Sequence, residues 1–335
     1  MKEIRFGIAG YGKMGKIREA TIEKSKNADL ISIFDISEEF KDKEHSKKCS
    51  SFEELLDSNI DALIVATTVS AAPGYVRRAL ESGKHVLCEK PPAKNLNEFN
   101  KLIEPYTDNK KILKYGFNHR FHYSVMEAKK LISSGIYGKI LWMRGVYGKA
   151  GSIDFNKNWR NYKKYSGGGI LLDQGIHMLD LFMHLSNENF EVVHSVLTKS
   201  FWDIECEDNA FVTLKSENGI VATLHSSATQ WKHKFLLEMA FENGYINLDG
   251  ILSSTGSYAP EKLIYGMREF EDITYAMGKP RETTVYFEND DSWKLELDEF
   301  INSIRSQKPV KNGTIIDAQK ILQLTDNIYK NFNGC

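Results

Sequence analysis

The stretch Ile4-Arg5-Phe6-Gly7-Ile8-Ala9-Gly10-Tyr11-Gly12-Lys13-Met14-Gly15 sets a short strand-like run against a glycine-rich turn, and a helix-compatible segment, Lys16 to Ser25, follows at once. Each glycine of a Gly-x-Gly-x-x-Gly turn has its own task. Gly10 allows the tight turn, Gly12 lets a pyrophosphate come close to the backbone, and Gly15 seats the helix on the strand. The glycine pattern alone is weak evidence, and its place between strand and helix carries the reading. A second strand, Leu30 to Phe34, ends in Asp35, 20 residues beyond Gly15. An acid there can accept both ribose hydroxyls of an adenosine and repels a 2′-phosphate, so NAD is favoured over NADP. Lys41 and Lys43 stand close enough in sequence to soften that preference.

Working outward, Ser51 with Glu54 three residues later reads as a helix-opening capping box. Asp61 to Thr67 is continuously apolar in its centre, as parallel strands tend to be. A helix from Gly74 to Ser82 leads into Gly83-Lys84-His85-Val86-Leu87-Cys88-Glu89-Lys90-Pro91-Pro92, where a buried strand stops at a lysine because the prolines cannot extend a ladder. Lys90 thus stands at the carboxyl end of a strand, where such sheets receive ligands. A helix, Leu96 to Tyr106, and a strand, Ile112 to Phe117, continue the alternation. The fold expected for residues 1–120 is an α/β Rossmann domain with a doubly wound parallel sheet.

Beyond residue 120 the pattern changes. A helix, Val125 to Ser133, precedes the run Lys139 to Tyr147, and strand-like segments follow at 192–198, 210–215, 220–227, 235–241 and 245–248. The turn pairs Asn218-Gly219 and Asn243-Gly244 suit hairpins. Residues 121–335 are therefore expected to form an α+β domain with an open-faced, mostly antiparallel sheet, whose free face suits association of copies. Helices Trp293 to Arg305 and Thr314 to Asn331 end the chain.

One further stretch in this half carries chemistry: Trp159-Arg160, then Ser166-Gly167-Gly168-Gly169 leading to Asp173-Gln174-Gly175-Ile176-His177. Three glycines let the chain approach something closely. On a regular helix Asp173 and His177 share a face, and a carboxylate beside an imidazole fixes its tautomer and supports its protonated form. Asp173, His177, Asp180 and His184 also fall near one helical stripe, so a metal site is an alternative, although no zinc signature matches. A purely structural Asp–His pair is the other.

With 335 residues and a formal net charge of -1, acids and bases alternating along the chain, nothing points to nucleic acid or a membrane surface, and a small ligand fits better. The cysteines Cys49, Cys88, Cys206 and Cys335 are widely spaced and form no C-x-x-C pair, which argues against zinc or a disulfide framework and for a reducing cytoplasm. No apolar run reaches membrane-spanning length, and a soluble, unexported protein is expected.

Taken together, the loop Gly10 to Gly15, the strand end Glu89-Lys90-Pro91, Trp159-Arg160 and Gly-Gly-Gly…Asp173-x-x-x-His177 resemble the glucose–fructose oxidoreductase / inositol dehydrogenase family, in the family's order and over nearly the full chain. The resemblance implies an NAD-dependent dehydrogenase or reductase moving a hydride between nicotinamide and a carbinol carbon of a sugar, nucleotide sugar or polyol. Lys90 and His177 would be the catalytic pair, with Asp173 as the histidine's partner. It further implies cofactor contacts from Gly10, Tyr11, Gly12, Lys13, Met14, Gly15, Asp35, Ala66, Thr67, Thr68, Glu89, Lys90, Asn118 and Arg120. Substrate contacts would come from Lys90, His119, Tyr147, Trp159, Arg160, Asp173 and His177, with no metal, in a cytoplasmic homodimer or homotetramer built through the second-domain sheet. The sequence departs from many relatives at Val69 to Tyr75, which lacks a histidine found beyond the proline. Two other readings keep the cofactor but change the outcome: glycosidic-bond hydrolysis through transient oxidation, and a non-catalytic NAD-binding sensor.

Overall fold

The computed structural model describes residues 3–37, 46–103, 110–269 and 280–332. In chain order the elements are β1 (Ile4–Ala9), α1 (Lys13–Glu23), β2 (Ala28–Phe34), β3 (Lys47–Cys49), α2 (Phe52–Asp57), β4 (Ala62–Val65), α3 (Ala72–Glu81), β5 (His85–Glu89), α4 (Leu96–Ile103) and β6 (Leu113–Gly116). Then follow α5 (Tyr123–Ser133), β7 (Ile140–Gly148), the short α6 (Lys163–Ser166), a single π turn (Leu171–Gly175) and α7 (Ile176–Ser186). The chain continues with β8 (Phe190–Thr198), β9 (Asn209–Ser216), β10 (Val221–Ser227), β11 (Lys234–Phe241), β12 (Gly244–Asp249), β13 (Glu261–Met267), β14 (Glu282–Phe287), α8 (Ser292–Ser306) and α9 (Ile315–Asn331). Lys41 and Lys43, and the end of the helix expected to reach Tyr106, lie outside the described residues.

Two compact units divide the chain, and neither is one continuous segment. The first takes its residues from Met1–Asn118, Lys164–Gly167 and Trp293–Gln323, the second from His119–Lys163, Gly168–Ser292 and Leu324–Cys335. The first unit therefore also takes in α8, which a division of the chain at residue 120 leaves to the second.

In the first unit six parallel strands run in the order β3-β2-β1-β4-β5-β6. The central β4 and β5 are buried at every residue, which is why β4 and the Val86–Cys88 centre of β5 read as apolar runs. One face of the sheet packs Phe6, Ile8 and Ile33 against Leu297, Phe300, Ile301 and Ile304 of α8, whose apolar residues recur at helical spacing. Helix α2 opens with half of the expected capping box, the Ser51 hydroxyl accepting the Glu54 N–H at 3.1 Å. Its return arm lands one residue early, with the Glu54 carboxylate accepting the N–H of Ser50 at 2.7 Å.

The second unit holds an eight-stranded sheet, order β14-β13-β12-β11-β7-β10-β9-β8. Its pairs are antiparallel except β7 with β10, where Val221 to Ser227 run alongside Trp142 to Gly148. Strands β3, β13 and β14 are not foreseen by the sequence reading. The outermost β3 is three residues long and β14 is largely exposed, so neither carries the apolar alternation that marks an interior strand.

Candidate active site

The expected site residues fall in different units and are built up in turn. At the end of β1, the Gly10 N–H donates to the Phe34 carbonyl and the Ala66 N–H to the Ala9 carbonyl, both at 2.8 Å, tying the loop to two neighbouring strands. Gly10 has φ +93°, and a Cβ there would lie 2.5 Å from the Ala66 carbonyl oxygen. A Cβ on Gly15 would lie 2.2 Å from the Gly10 oxygen. Gly12 is different: within 4 Å of where its Cβ would be there is nothing. It is the N-cap of α1, with no side-chain cap and no acid in the first turn, so the amino end of that helix keeps its attraction for a phosphate. These features fit a dinucleotide pyrophosphate over Gly12, with Gly10 to Gly15 as its cradle.

The Asp35 carboxylate accepts the Tyr11 N–H at 2.5 Å and the Ser37 N–H at 2.7 Å. One acid thus braces the loop and, with lone pairs remaining on both oxygens, stays chemically able to accept ribose hydroxyls. Tyr11 turns its ring inward, its phenol bonded to buried Glu19, while Lys13 is exposed. Beyond β4, Ala66, Thr67 and Thr68 are half-buried, and the Thr68 carbonyl accepts the N–H groups of Ala71 and Ala72 at 3.0 Å as α3 begins.

Glu89 is buried and accepts from Nε of Arg18 at 2.6 Å, while Arg18 Nη2 reaches Glu296 of α8, also at 2.6 Å. Burial pushes the Glu296 carboxyl above its ordinary range, against the pull of Arg18 and Lys114. Next to Glu89, Lys90 is half-buried at the end of β5, and Pro91 and Pro92, both buried, follow it out of the sheet. Asn118 is buried at the boundary of the unit.

In the second unit the structure brings His119, Tyr147 and His177 together. The imidazoles of His119 and His177 stack with centroids 3.8 Å apart and planes 16° from parallel. Nε2 of His119 lies 2.9 Å from the Tyr147 hydroxyl. Burial holds the Tyr147 phenol well above its usual range, with Tyr258 and Asp173 adding to the effect, so the hydroxyl keeps its proton. Arg120, next in chain to His119, makes a buried fork to Asp180 at 2.8 and 2.6 Å. Its guanidinium is engaged within this unit, tying the turn that carries His119 to the helix that carries His177.

Asp173 receives Nζ of Lys149 at 2.6 Å and stands 3.4 Å from Nε of Arg160. Arg160 in turn lies over the ring of Trp159, 4.4 Å from its centroid. The helix expected to place Asp173 and His177 on one face begins instead as a π turn, which winds wider than an α-helix and changes their relative angle. Neither Lys149 nor the π turn has a sequence signal: the lysine follows a strand with no motif around it, and the turn reads as ordinary helix.

The triple glycine approaches the protein itself. A Cβ on Gly167 would meet Lys94 at 2.6 Å, on Gly168 the Tyr329 hydroxyl at 2.0 Å, and on Gly169 the Glu207 carbonyl at 2.2 Å. The buried Glu207 carboxylate accepts the N–H groups of Gly169 at 3.0 Å and Leu171 at 3.1 Å, and the Tyr329 hydroxyl at 2.9 Å. Among the described residues, no group of three or more His, Cys, Asp or Glu side chains is gathered as a metal would need. No helix among them is long and apolar enough to cross a membrane.

Comparison with known proteins finds relatives for both halves of the chain. The chain is 26% identical over 317 residues to myo-inositol 2-dehydrogenase of Thermotoga maritima, covering 91% of this chain and 90% of that one. It is 31% identical to glucose-6-phosphate 3-dehydrogenase of Bacillus subtilis over 217 residues, 62% of this chain and 60% of that one. The structure of levoglucosan dehydrogenase with NADH and L-sorbose superposes with a TM-score of 0.83 at 21% identity, over 99% of this chain and 97% of that one, a likeness of fold. Residues 4–117 match the family model described as an oxidoreductase family with an NAD-binding Rossmann fold, and residues 125–247 match the GFO/IDH/MocA C-terminal domain. With both halves matched, the chain belongs to the glucose–fructose oxidoreductase / inositol dehydrogenase family of NAD-binding oxidoreductases.

Proposed function

We propose that this protein is a dehydrogenase that oxidises, or in reverse reduces, a CH–OH carbon of a sugar or polyol, with Lys90 and His177 handling the hydroxyl proton. The observation that carries the reading is the buried His119–His177 stack with the Tyr147 hydroxyl at its edge, polar and proton-bearing. The names of the relatives above, all for enzymes of carbohydrate-type alcohols, support the substrate class. NAD, held by Gly10 to Gly15 and Asp35, supplies the hydride acceptor when bound.

Oxidation of an alcohol needs the hydroxyl proton to leave as the carbon is oxidised, and an imidazole suits that task. His177 takes the proton. The Lys90 ammonium donates to the same oxygen and stabilises developing alkoxide charge. Asp173, engaged by Lys149 and Arg160, receives neighbouring substrate hydroxyls. His119, Tyr147, Trp159 and Arg160 complete the substrate contacts, and Ala66 to Thr68 and Asn118 the cofactor contacts.

Lys90→Ala and His177→Ala should each lower kcat by about a thousandfold, the range of one general acid or base. Steady-state kinetics on the best substrate of a sugar and inositol panel, followed by reduced-nicotinamide absorbance, checks this, with NAD affinity measured separately by calorimetry. Wild-type turnover in either variant would overturn the assignment.

The outer face of the eight-stranded sheet supports a homo-oligomer. Trp142 pairs with Val221 and Phe211 with His225 in adjacent strands, and Trp142, Phe211 and Val221 remain 43%, 45% and 40% exposed. Light scattering tests this directly. A cytoplasmic setting is consistent with Cys49, Cys88 and Cys206 being buried in the fold.

A further inference from the structure

At one end of the eight-stranded sheet the strands run out together. Gly148 of β7 pairs with Ser227 of β10 and Lys234 of β11, Ser227 pairs with Asn209 of β9, and Asn209 with Thr198 of β8. Loops 149–162, 199–208 and 228–233 therefore leave the sheet side by side, one residue past Tyr147, the phenol bonded to His119.

These loops build a cluster of rings. Trp202 is its fixed base: the indole Nε1–H donates to the Ala228 carbonyl at 2.8 Å, and the ring lies 4.9 Å from Phe155 and fills the space beside Gly151. Phe201 stands against Trp202 at 5.1 Å and against Trp231 at 4.9 Å, both edge to face, yet Phe201 and Trp231 are 63% and 60% exposed. Polar groups flank the rings. Lys149, the cation on Asp173, has Nζ 5.6 Å from the Phe155 centroid. His233, two residues from Trp231, lies 4.9 Å from Tyr258, which lies 5.3 Å from Tyr147. Its Nδ1 is buried with no hydrogen-bond partner among the described residues.

One line of side chains thus leads outward from the stacked histidines through Tyr147 and Tyr258 to His233, two residues from Trp231. A second, Asp173, Lys149 and Phe155, ends on Trp202, the base of the exposed rings. A pyranose ring carries C–H groups on its faces and hydroxyls around its rim, and needs an aromatic surface beneath with donors and acceptors at the edge. That is the chemistry assembled here. Exposed apolar surface gathered next to a candidate site marks a place of binding.

We propose that Phe201 and Trp231 form a subsite for a second glycosyl ring, so that the enzyme takes disaccharides or related glycosides in preference to free monosaccharides. The proposal rests on the sugar-dehydrogenase reading above and narrows its substrate class.

The test compares wild type with Trp231→Ala and Phe201→Ala, all at saturating NAD, on glucose and galactose against maltose, cellobiose, lactose and trehalose. Binding is read by calorimetry and turnover by reduced-nicotinamide absorbance. At least one disaccharide should bind wild type about tenfold more tightly than its component monosaccharide, the scale of one good ring contact, and that ratio should fall towards one in either variant. No such advantage in wild type, or an advantage that survives both substitutions, overturns the subsite. If the ring-dependent advantage is present but no sugar reduces NAD, the subsite stands and the dehydrogenase reading fails. If monosaccharides are oxidised with no disaccharide advantage, the reading stands and the subsite fails. Variants that change oligomeric state while keeping the advantage assign the rings to a subunit contact, which also overturns it.

Discussion

The chain contains two clusters of three glycines, and they do opposite things. In Gly10 to Gly15 the outer two glycines are pressed against backbone while Gly12 faces open space. In Gly167 to Gly169 all three are pressed against the protein's own atoms, and nothing is left open for a ligand. The same residue type therefore leaves an open surface in one cluster and makes a packing joint of the other. What decides is the atom opposite each missing Cβ, which no glycine count reveals.

Adding a Cβ separates the two clusters most clearly. Gly169→Ala would drive a methyl into the Glu207 backbone carbonyl, which cannot rotate away, and should destabilise the protein by about 3 kcal/mol. Urea unfolding measures it, and a variant of wild-type stability would show that the joint yields. Gly12→Ala should instead leave stability within about 0.5 kcal/mol, because its Cβ meets nothing. NAD affinity should fall about tenfold, equivalent to about 1.4 kcal/mol, read by calorimetry. If Gly12→Ala destabilises the protein while NAD affinity is spared, the role assigned to the first cluster fails.

A smaller effect comes from the first unit's sheet. His85 accepts the Ile112 N–H on Nδ1 at 2.9 Å, which requires that nitrogen to be unprotonated. Burial, with help from Lys111, holds its pKa down to about 4. The unfolded imidazole titrates near 6.5, so between that pH and about 4 the unfolded state binds the extra proton and stability falls as the solution is acidified. The contribution is fully present above 6.5. His85→Gln should flatten this part of the stability profile, seen as a smaller difference between midpoints at the two ends of the window. An unchanged slope would place the acid sensitivity elsewhere.

Much of the first unit is legible in the sequence because parallel strands buried on both faces, such as Ala62–Val65 and His85–Glu89, announce themselves without partners. Hairpins of the second unit are legible at Asn218-Gly219, where Gly219 takes φ +91°. Helix α8 is not assigned to the first unit from sequence, since the stripe of Leu297, Phe300, Ile301 and Ile304 would suit any sheet. At the site, residue types and order are readable at His119, Tyr147, Asp173 and His177. The Lys149–Asp173 pair and the Arg120–Asp180 fork are not, because each is fixed by packing between distant segments. Asp180 in particular stands in a stripe that invites a metal and holds a guanidinium instead.

The Arg18 network carries a last consequence, for the order in which the molecule can assemble. Arg18, Glu89 and Glu296 meet in the interior of one unit although 278 positions separate the first from the last. A chain emerging from the ribosome presents Arg18 and Glu89 long before Glu296, and a buried guanidinium with one of its two carboxylates missing is strongly unfavourable. The nucleotide-binding unit must therefore wait, incomplete, while nearly the whole of the second unit is synthesised. The strand end that delivers Lys90 is finished by one of the last helices to be made.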